Sequence, residues 1–214
     1  MIYYKVLVKG LNLRPAVGFL GYSSVVLIKD GSERILVDTG NNGVRLFLYK
    51  KLKKEKITKI FISHLHFDHC ANLSLFPNAL VYVNGRELDF LDKNRSNYLF
   101  RPIIDNLRGA KIIRFDHEQK ISSSIKMIFT FGHSIGHSSL EFEGPEGKTI
   151  IAGDAVRSYQ ELICPKRVED CYNKKQFIKT AKLIERKYKV VIPGHSGCIK
   201  NGTIVSDNNK LTTF

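Results

Sequence analysis

Residues 63–70, Ser63-His64-Leu65-His66-Phe67-Asp68-His69-Cys70, place three of the chain's seven histidines and an aspartate within six positions. The run before them, Lys59-Ile60-Phe61-Ile62, is short, apolar and β-branched, the pattern of a strand buried in a sheet. The cluster therefore begins where a strand ends. Alternation along an extended backbone puts His64 and His66 on one side, and Asp68 and His69 follow in the turn beyond. Imidazole and carboxylate are donors that Zn²⁺, Mn²⁺ and Fe²⁺ accept, and a rigid strand end is a suitable platform for them. The alternative, a solvated polar loop, sits poorly with so apolar a flank.

One cluster supplies at most half of a binuclear site, and three further strand ends carry single donors. Phe131-Gly132-His133 follows the apolar run Met127-Ile128-Phe129. Gly153-Asp154 follows Thr149-Ile150-Ile151, and Pro193-Gly194-His195 follows Val190-Val191-Ile192. In each case an apolar strand leads through a small residue or a Pro-Gly turn to a potential ligand.

In this combination the sequence resembles the metallo-β-lactamase-fold hydrolase superfamily. HLHFDH matches the family's HxHxDH, FGHSIGH its PGHTxGH, AGD its bridging aspartate and PGH its last histidine. Leu36-Val37-Asp38-Thr39-Gly40 looks like its (L/I)(I/V)DTG strand and turn. The resemblance implies an α+β chain folded as a four-layer αββα sandwich, one domain over residues 1–214. It also implies a dinuclear centre at the edge between the sheets, with two divalent ions, usually Zn²⁺, with Mn²⁺ or Fe²⁺ compatible. His64, His66 and His133 would hold one ion, Asp68, His69 and His195 the other, and Asp154 would bridge them. His137 matches a position that does not bind metal, so a supporting role is expected. Asp38 is expected to hydrogen-bond a ligand loop, the alternative being a plain turn aspartate before Thr-Gly. His117, among charges, reads as an exposed loop residue.

The chemistry of such a site is metal-assisted hydrolysis. Two ions about 3.5 to 4 Å apart bring the pKa of a shared water towards 7 and polarise the scissile carbonyl or phosphoryl oxygen. Asp68 would orient the nucleophile, and it or a metal-bound water would return a proton to the leaving group. The leading reading is hydrolysis of a small ester, thioester or lactone. Departures from family patterns narrow the field: Asp154 stands where some β-lactamases carry cysteine, and His66 where diiron flavoproteins carry glutamate. Only 19 residues follow His195, too few for the C-terminal region of glyoxalase II. Lactonases of this layout place a tyrosine three positions beyond the bridging aspartate, where this chain has Arg157.

The rival reading is a compact phosphodiesterase or nuclease, and a third is a metal-binding protein without activity. Arg157, Lys166 and Arg167 follow Asp154 closely, so they are expected at the mouth of the site, holding an anionic part of a small-molecule substrate. The net charge of +14 would suit nucleic acid. Much of it, however, comes from Lys50, Lys51, Lys53, Lys54 and Lys56. They interleave with Val44, Phe47, Leu48 and Leu52, spaced as the buried stripe of a helix, which makes the lysines a solvated face.

Apolar content of 43% and charged content of 25% are those of a globular domain. No apolar run reaches the length of a membrane span, and MIYYKVLVKG reads as a strand rather than a signal peptide, so a cytoplasmic protein is expected. The four cysteines have no CxxC spacing and are expected to be reduced. Strands are expected near 2–9, 22–29, 34–38, 59–62, 80–83, 111–115, 125–131, 138–143, 148–152 and 189–192. Helices are expected near 43–55, 85–92 and 173–187. The stretch 93–110, with weak periodicity and a central Pro102, is expected to be a loop or flap.

Overall fold

Val25 to Asp30 and Glu33 to Val37 show how alternation builds this molecule: odd and even side chains enter different cores. Val25, Leu27 and Leu36 pack in one apolar cluster, while Val26, Ile28, Ile35 and Val37 pack in another. Strands buried on both faces belong to the middle of a layered structure. The structure, a computed structural model, describes residues 2–13, 16 and 20–205.

The first sheet has six strands in sequential order: β1 (Tyr3–Val8), β2 (Val25–Asp30), β3 (Glu33–Val37), β4 (Lys59–Phe61), β5 (Leu80–Asn84) and β6 (Lys111–Phe115). The first three are antiparallel neighbours, and β3 through β6 are parallel. The second sheet comprises β7 (Gln119–Lys120), β8 (Lys126–Phe129), β9 (Ser138–Gly144), β10 (Gly147–Gly153), β11 (Val190–Pro193), β12 (Ile199–Lys200) and β13 (Thr203–Ile204), ordered from β13 to β7 across the sheet. Among the described residues its only parallel pair is β10 with β11.

Three apolar clusters define the layers. Between the sheets, Val26, Ile28, Ile35 and Phe61 meet Met127, Leu140, Ile151 and Ile192. On the outer face of the first sheet lie Leu48 and Leu52 of α1 (Arg45–Leu52), Cys70 of α2 (Phe67–Cys70), Leu91 of α3 (Gly85–Lys93) and Ile103 of α4 (Arg101–Leu107). On the outer face of the second, Ile150, Ala152 and Val191 are covered by Leu162 of α5 (Tyr159–Ile163) and by Phe177, Ala181 and Ile184 of α6 (Lys174–Lys187). The result is the expected four-layer αββα sandwich.

The stretch 93–110 departs from expectation. It is no open loop: a single 3₁₀ turn, Tyr98–Phe100, leads into α4. Pro102 sits in the first turn of that helix, where its missing N–H has no intrahelical partner to lose and its fixed φ suits the helix. Ile103 is buried in the outer core, and Phe100, Ile104 and Leu107 pack against it. The expected helix 43–55 is shorter, because a 3₁₀ turn at Asn42–Val44 precedes Arg45–Leu52 and the chain then turns so that Ile57 is buried. The two-residue strands β7, β12 and β13 were not foreseen; so short a segment carries no periodicity.

Candidate metal centre

Asp38, His64 to His69, His133, Asp154 and His195 follow the ends of β3, β4, β8, β10 and β11. The edge between the sheets brings all seven expected ligands together. His64, His66, His133 and Asp154 form one group able to hold an ion, and Asp68, His69 and His195 a second, each with donor atoms within 4.8 Å of one another. Asp154 faces both groups with different oxygens. Its Oδ2 is 3.2 Å from His133 Nε2, and its Oδ1 is 3.4 Å from His69 Nε2 and 3.3 Å from His195 Nε2. Asp68 Oδ2 lies 3.4 Å from His195 Nε2.

Buried polar atoms are normally hydrogen-bonded, so exceptions call for an explanation. His64 Nε2, His69 Nε2, Asp68 Oδ2 and Asp154 Oδ1 are buried without a hydrogen-bond partner, and all four belong to the two groups. Nitrogen and oxygen donors converging with unsatisfied lone pairs fit divalent cations. The residues present thus fit the implied ions.

Three of the rings are aimed by the bond their second nitrogen makes, His64 Nδ1 meeting Ser63 Oγ at 3.1 Å. His69 Nδ1 is 2.7 Å from Asp38 Oδ2, and His195 Nδ1 is 3.1 Å from the Tyr22 carbonyl. Asp38 also accepts from Ser63 N and Ser63 Oγ, both at 2.8 Å, so its carboxylate does bond the ligand loop. Bonds of this kind set the tautomer and orientation of a ligating imidazole. Asp38 holds them with φ of 55°, the left-handed region that aspartate tolerates better than most residues.

His137 is buried beneath the site, and its tautomer follows from its neighbours. Asp154 N–H donates to Nε2 at 3.0 Å, so Nε2 is an acceptor and the proton is on Nδ1. That proton goes to Thr130 Oγ1, which in turn donates to Ser139 Oγ, whose own proton goes to the Ala152 carbonyl. Burial pushes the His137 pKa down to about 3, so the ring is neutral. It holds the backbone of Asp154.

Burial likewise depresses His64 and His133 well below the ordinary histidine value, which keeps lone pairs available. For Asp154, burial is the largest influence and pushes upward. His195, His69 and His133 outweigh it and hold the carboxyl well below the usual range.

A cavity of about 510 Å³ opens beside the two groups. His66, Asp68, His133, Asp154 and His195 line its floor, and Leu65, Phe90, Leu91, Phe100, Ile135 and Tyr172 supply apolar wall. Arg157 reaches this cavity, but not as a vacant cation. Its guanidinium bonds Asp170 through both terminal nitrogens at 2.9 Å and Glu161 through Nε at 2.7 Å. Its carbonyl accepts the His195 N–H at 2.8 Å, so Arg157 braces the last ligand loop. Lys166 and Arg167 are exposed and do not line the cavity; Arg167 borders a smaller hollow beside it. His117 is exposed, as expected.

The sequence pointed to neither Glu87 nor Asn72. Glu87 is buried on α3 and Asn72 lies beneath the Asp38-Thr39-Gly40 turn, donating to the Thr39 and Asn41 carbonyls at 2.7 Å. Their partners are 22 to 49 and 27 to 33 residues away in the chain, so no local pattern marks them.

An αββα sandwich with two His/Asp groups at the edge between its sheets defines a class of metal-binding proteins. Residues 18–195 match the metallo-beta-lactamase superfamily, and the chain belongs to it. It is 36% identical over 91 residues to an N-acyl homoserine lactonase of Bacillus cereus, covering 42% of this chain and 35% of that protein. The match thus spans about a third of the lactonase's length. A Methanocaldococcus jannaschii protein named probable metallo-hydrolase is 26% identical over 173 residues, 77% of this chain and 72% of its own. A solved metallo-beta-lactamase-type structure from Thermotoga maritima superposes with a TM-score of 0.75 at 23% identity, covering 93% of this chain and 99% of that one. At that identity the likeness speaks to fold alone. Among the described residues no helix is long and apolar enough to cross a membrane.

Proposed function

We propose that this chain is a dinuclear metal-dependent hydrolase of small esters, thioesters or lactones whose acyl or alkyl part is apolar. The observation that carries the reading is the division of Asp154 between two donor groups, with one oxygen towards each, at the floor of an apolar-walled cavity. His64, His66, His133 and Asp154 would hold one divalent ion, and Asp68, His69, His195 and Asp154 the other. Zn²⁺ suits this donor set, and Mn²⁺ or Fe²⁺ would use the same atoms. When bound, the pair supplies a water acidified towards neutral pKa and a Lewis acid for the scissile carbonyl.

The chain's own residues do the rest. Asp68, at the cavity floor, orients the attacking water, takes its proton and returns it to the leaving oxygen or sulfur. The wall of Leu65, Phe90, Phe100 and Ile135 takes the apolar part of the substrate and excludes water from it. The anionic-group expectation loses its main support, since Arg157 is already neutralised by Glu161 and Asp170. The same pairing takes away the cation on which the nuclease reading leaned.

The test is a panel assayed with metal-loaded protein: a thioester, a lactone, an aliphatic ester, a nitrocefin-type β-lactam, bis-p-nitrophenyl phosphate and single-stranded RNA. Turnover of ester, thioester or lactone without diester is expected. Diester or RNA cleavage alone would replace this reading with the nuclease.

A further inference from the structure

Leu65 and Gly136 are 71 positions apart, on loops that leave different sheets, yet one carboxylate holds both. Glu87, buried in the first turn of α3, accepts the Leu65 N–H through Oε2 at 2.9 Å. Its Oε1 accepts the Gly136 N–H and the Ser134 hydroxyl, both at 2.7 Å. Leu65 lies between His64 and His66, and Ser134 directly follows His133. All three histidines of the first donor group therefore sit within one residue of a Glu87 partner.

Two further observations show that this junction is built. Asn84, the cap residue of α3, accepts the Arg86 N–H and donates to Ser138 Oγ at 2.9 Å, tying the start of the helix to β9. Gly136 is packed so closely that a Cβ there would lie 2.9 Å from both Cγ and N of Glu87. A buried carboxylate is costly unless hydrogen-bonded, and here three neutral donors satisfy it. The second donor group has its own supports, Asp38 for His69 and the Tyr22 carbonyl for His195.

We infer that Glu87 is the positioning residue of the first ion site, a clamp that fixes His64, His66 and His133 relative to one another across the two sheets, whereas Asp38 bonds His69 of the second directly and His64 only through Ser63. The inference rests on the metal-centre reading above. Glutamine cannot replace the carboxylate. It offers one oxygen and one NH₂, so either the Leu65 N–H or the Ser134 and Gly136 pair would face another donor. Losing an outer partner of a metal ligand typically costs about 10- to 100-fold in metal affinity.

The experiment is a Co²⁺ titration with chelator competition on wild type, Glu87→Gln and Ser134→Ala, read by visible absorption, with thermal unfolding recorded for each. Wild type binding two ions and Glu87→Gln losing about 10- to 100-fold at one site, with the second unchanged and unfolding still cooperative, is the expected result. Ser134→Ala, removing one of three donors, should weaken the same site less. Equal weakening of both sites, or wild-type affinity and spectrum in Glu87→Gln, would overturn the clamp. Should Glu87→Gln fail to fold, Ser134→Ala decides alone: a loss confined to one site supports the clamp, and no loss or an even loss overturns it. A wild type that binds no ions would sink the metal-centre reading instead.

Discussion

Asp38 and Asp154 are both buried carboxylates, yet they do different work because of what surrounds them. Three hydrogen bonds satisfy Asp38, whereas Asp154 keeps an oxygen for each donor group. Asn at 38 would tolerate the φ of 55° but present an NH₂ to either Ser63 or His69. We expect Asp38→Asn to weaken the second ion about 10- to 100-fold and the first by less, because Asp38 reaches His64 only through Ser63, measured by the same chelator competition. Asp154→Ala should remove both ions in a metal-content assay, while Cys70→Ala and Cys198→Ala retain them; equal tolerance of all three would end the bridging role. Gly194 shows how little room surrounds Asp154, since a Cβ there would lie 1.9 Å from Oδ1. Asp38 and Asp154 were legible as candidates because each directly follows an apolar strand. Glu87 was not, since in RELDF it reads like any glutamate of a helix and only the folded chain brings its partners to it.

Elements were legible to the extent that they carry periodicity. The strands that alternate between cores and the amphipathic α6 announced themselves; α4 did not, because Pro102 reads as a breaker until its place in the first turn is known. That helix bears on selectivity, since Phe100 at its entry stacks edge-on with Phe90 of α3, centroids 5.7 Å apart, and both line the cavity. Each buried CH₂ is worth about 0.8 kcal/mol, so kcat/KM should rise with acyl chain length in wild type. Phe100→Ala should flatten that slope while sparing acetyl substrates, and an unchanged slope would remove this wall from the binding site. Elsewhere, Glu141 of β9 accepts from Lys187 and Tyr188 where α6 ends. Burial raises its pKa most, but the Tyr188 and Lys187 bonds prevail and hold it below the ordinary value. A depressed folded pKa means stabilisation that is complete above the unfolded value of about 4.3 and lost as pH falls through the folded one. Glu141→Gln should therefore lower Tm at pH 7 by about 2–4 °C, for roughly 1 kcal/mol after solvent screening. The gap should close in acid, and a gap independent of pH would assign the effect to packing.

Across the whole molecule, the net charge of +14 is the feature that could still turn the function towards nucleic acid. A basic surface serves a nuclease only if it leads into the site, because several phosphates must be neutralised while one reaches the ions. Lys50, Lys51, Lys53 and Lys54 are exposed on and just after α1, whose Leu48 and Leu52 bury into the outer face of the first sheet. None of the four lines the cavity, whose wall is largely apolar and whose Arg157 is bound by two carboxylates. The placement read from the helical spacing of Val44, Phe47, Leu48 and Leu52 is observed for Lys50 and Lys51, while Lys53 and Lys54 lie beyond the helix's end at Leu52. Changing the four lysines together to Gln should leave small-substrate hydrolysis within about threefold, a barrier change below roughly 0.7 kcal/mol. Binding to single-stranded nucleic acid, if measured in parallel, should be weak in both proteins. A log-log salt slope steeper in wild type by about 0.7 for each lysine removed would reveal four true phosphate contacts. That slope, together with a loss of turnover well beyond threefold, would make the lysine face part of the substrate path and favour the nuclease.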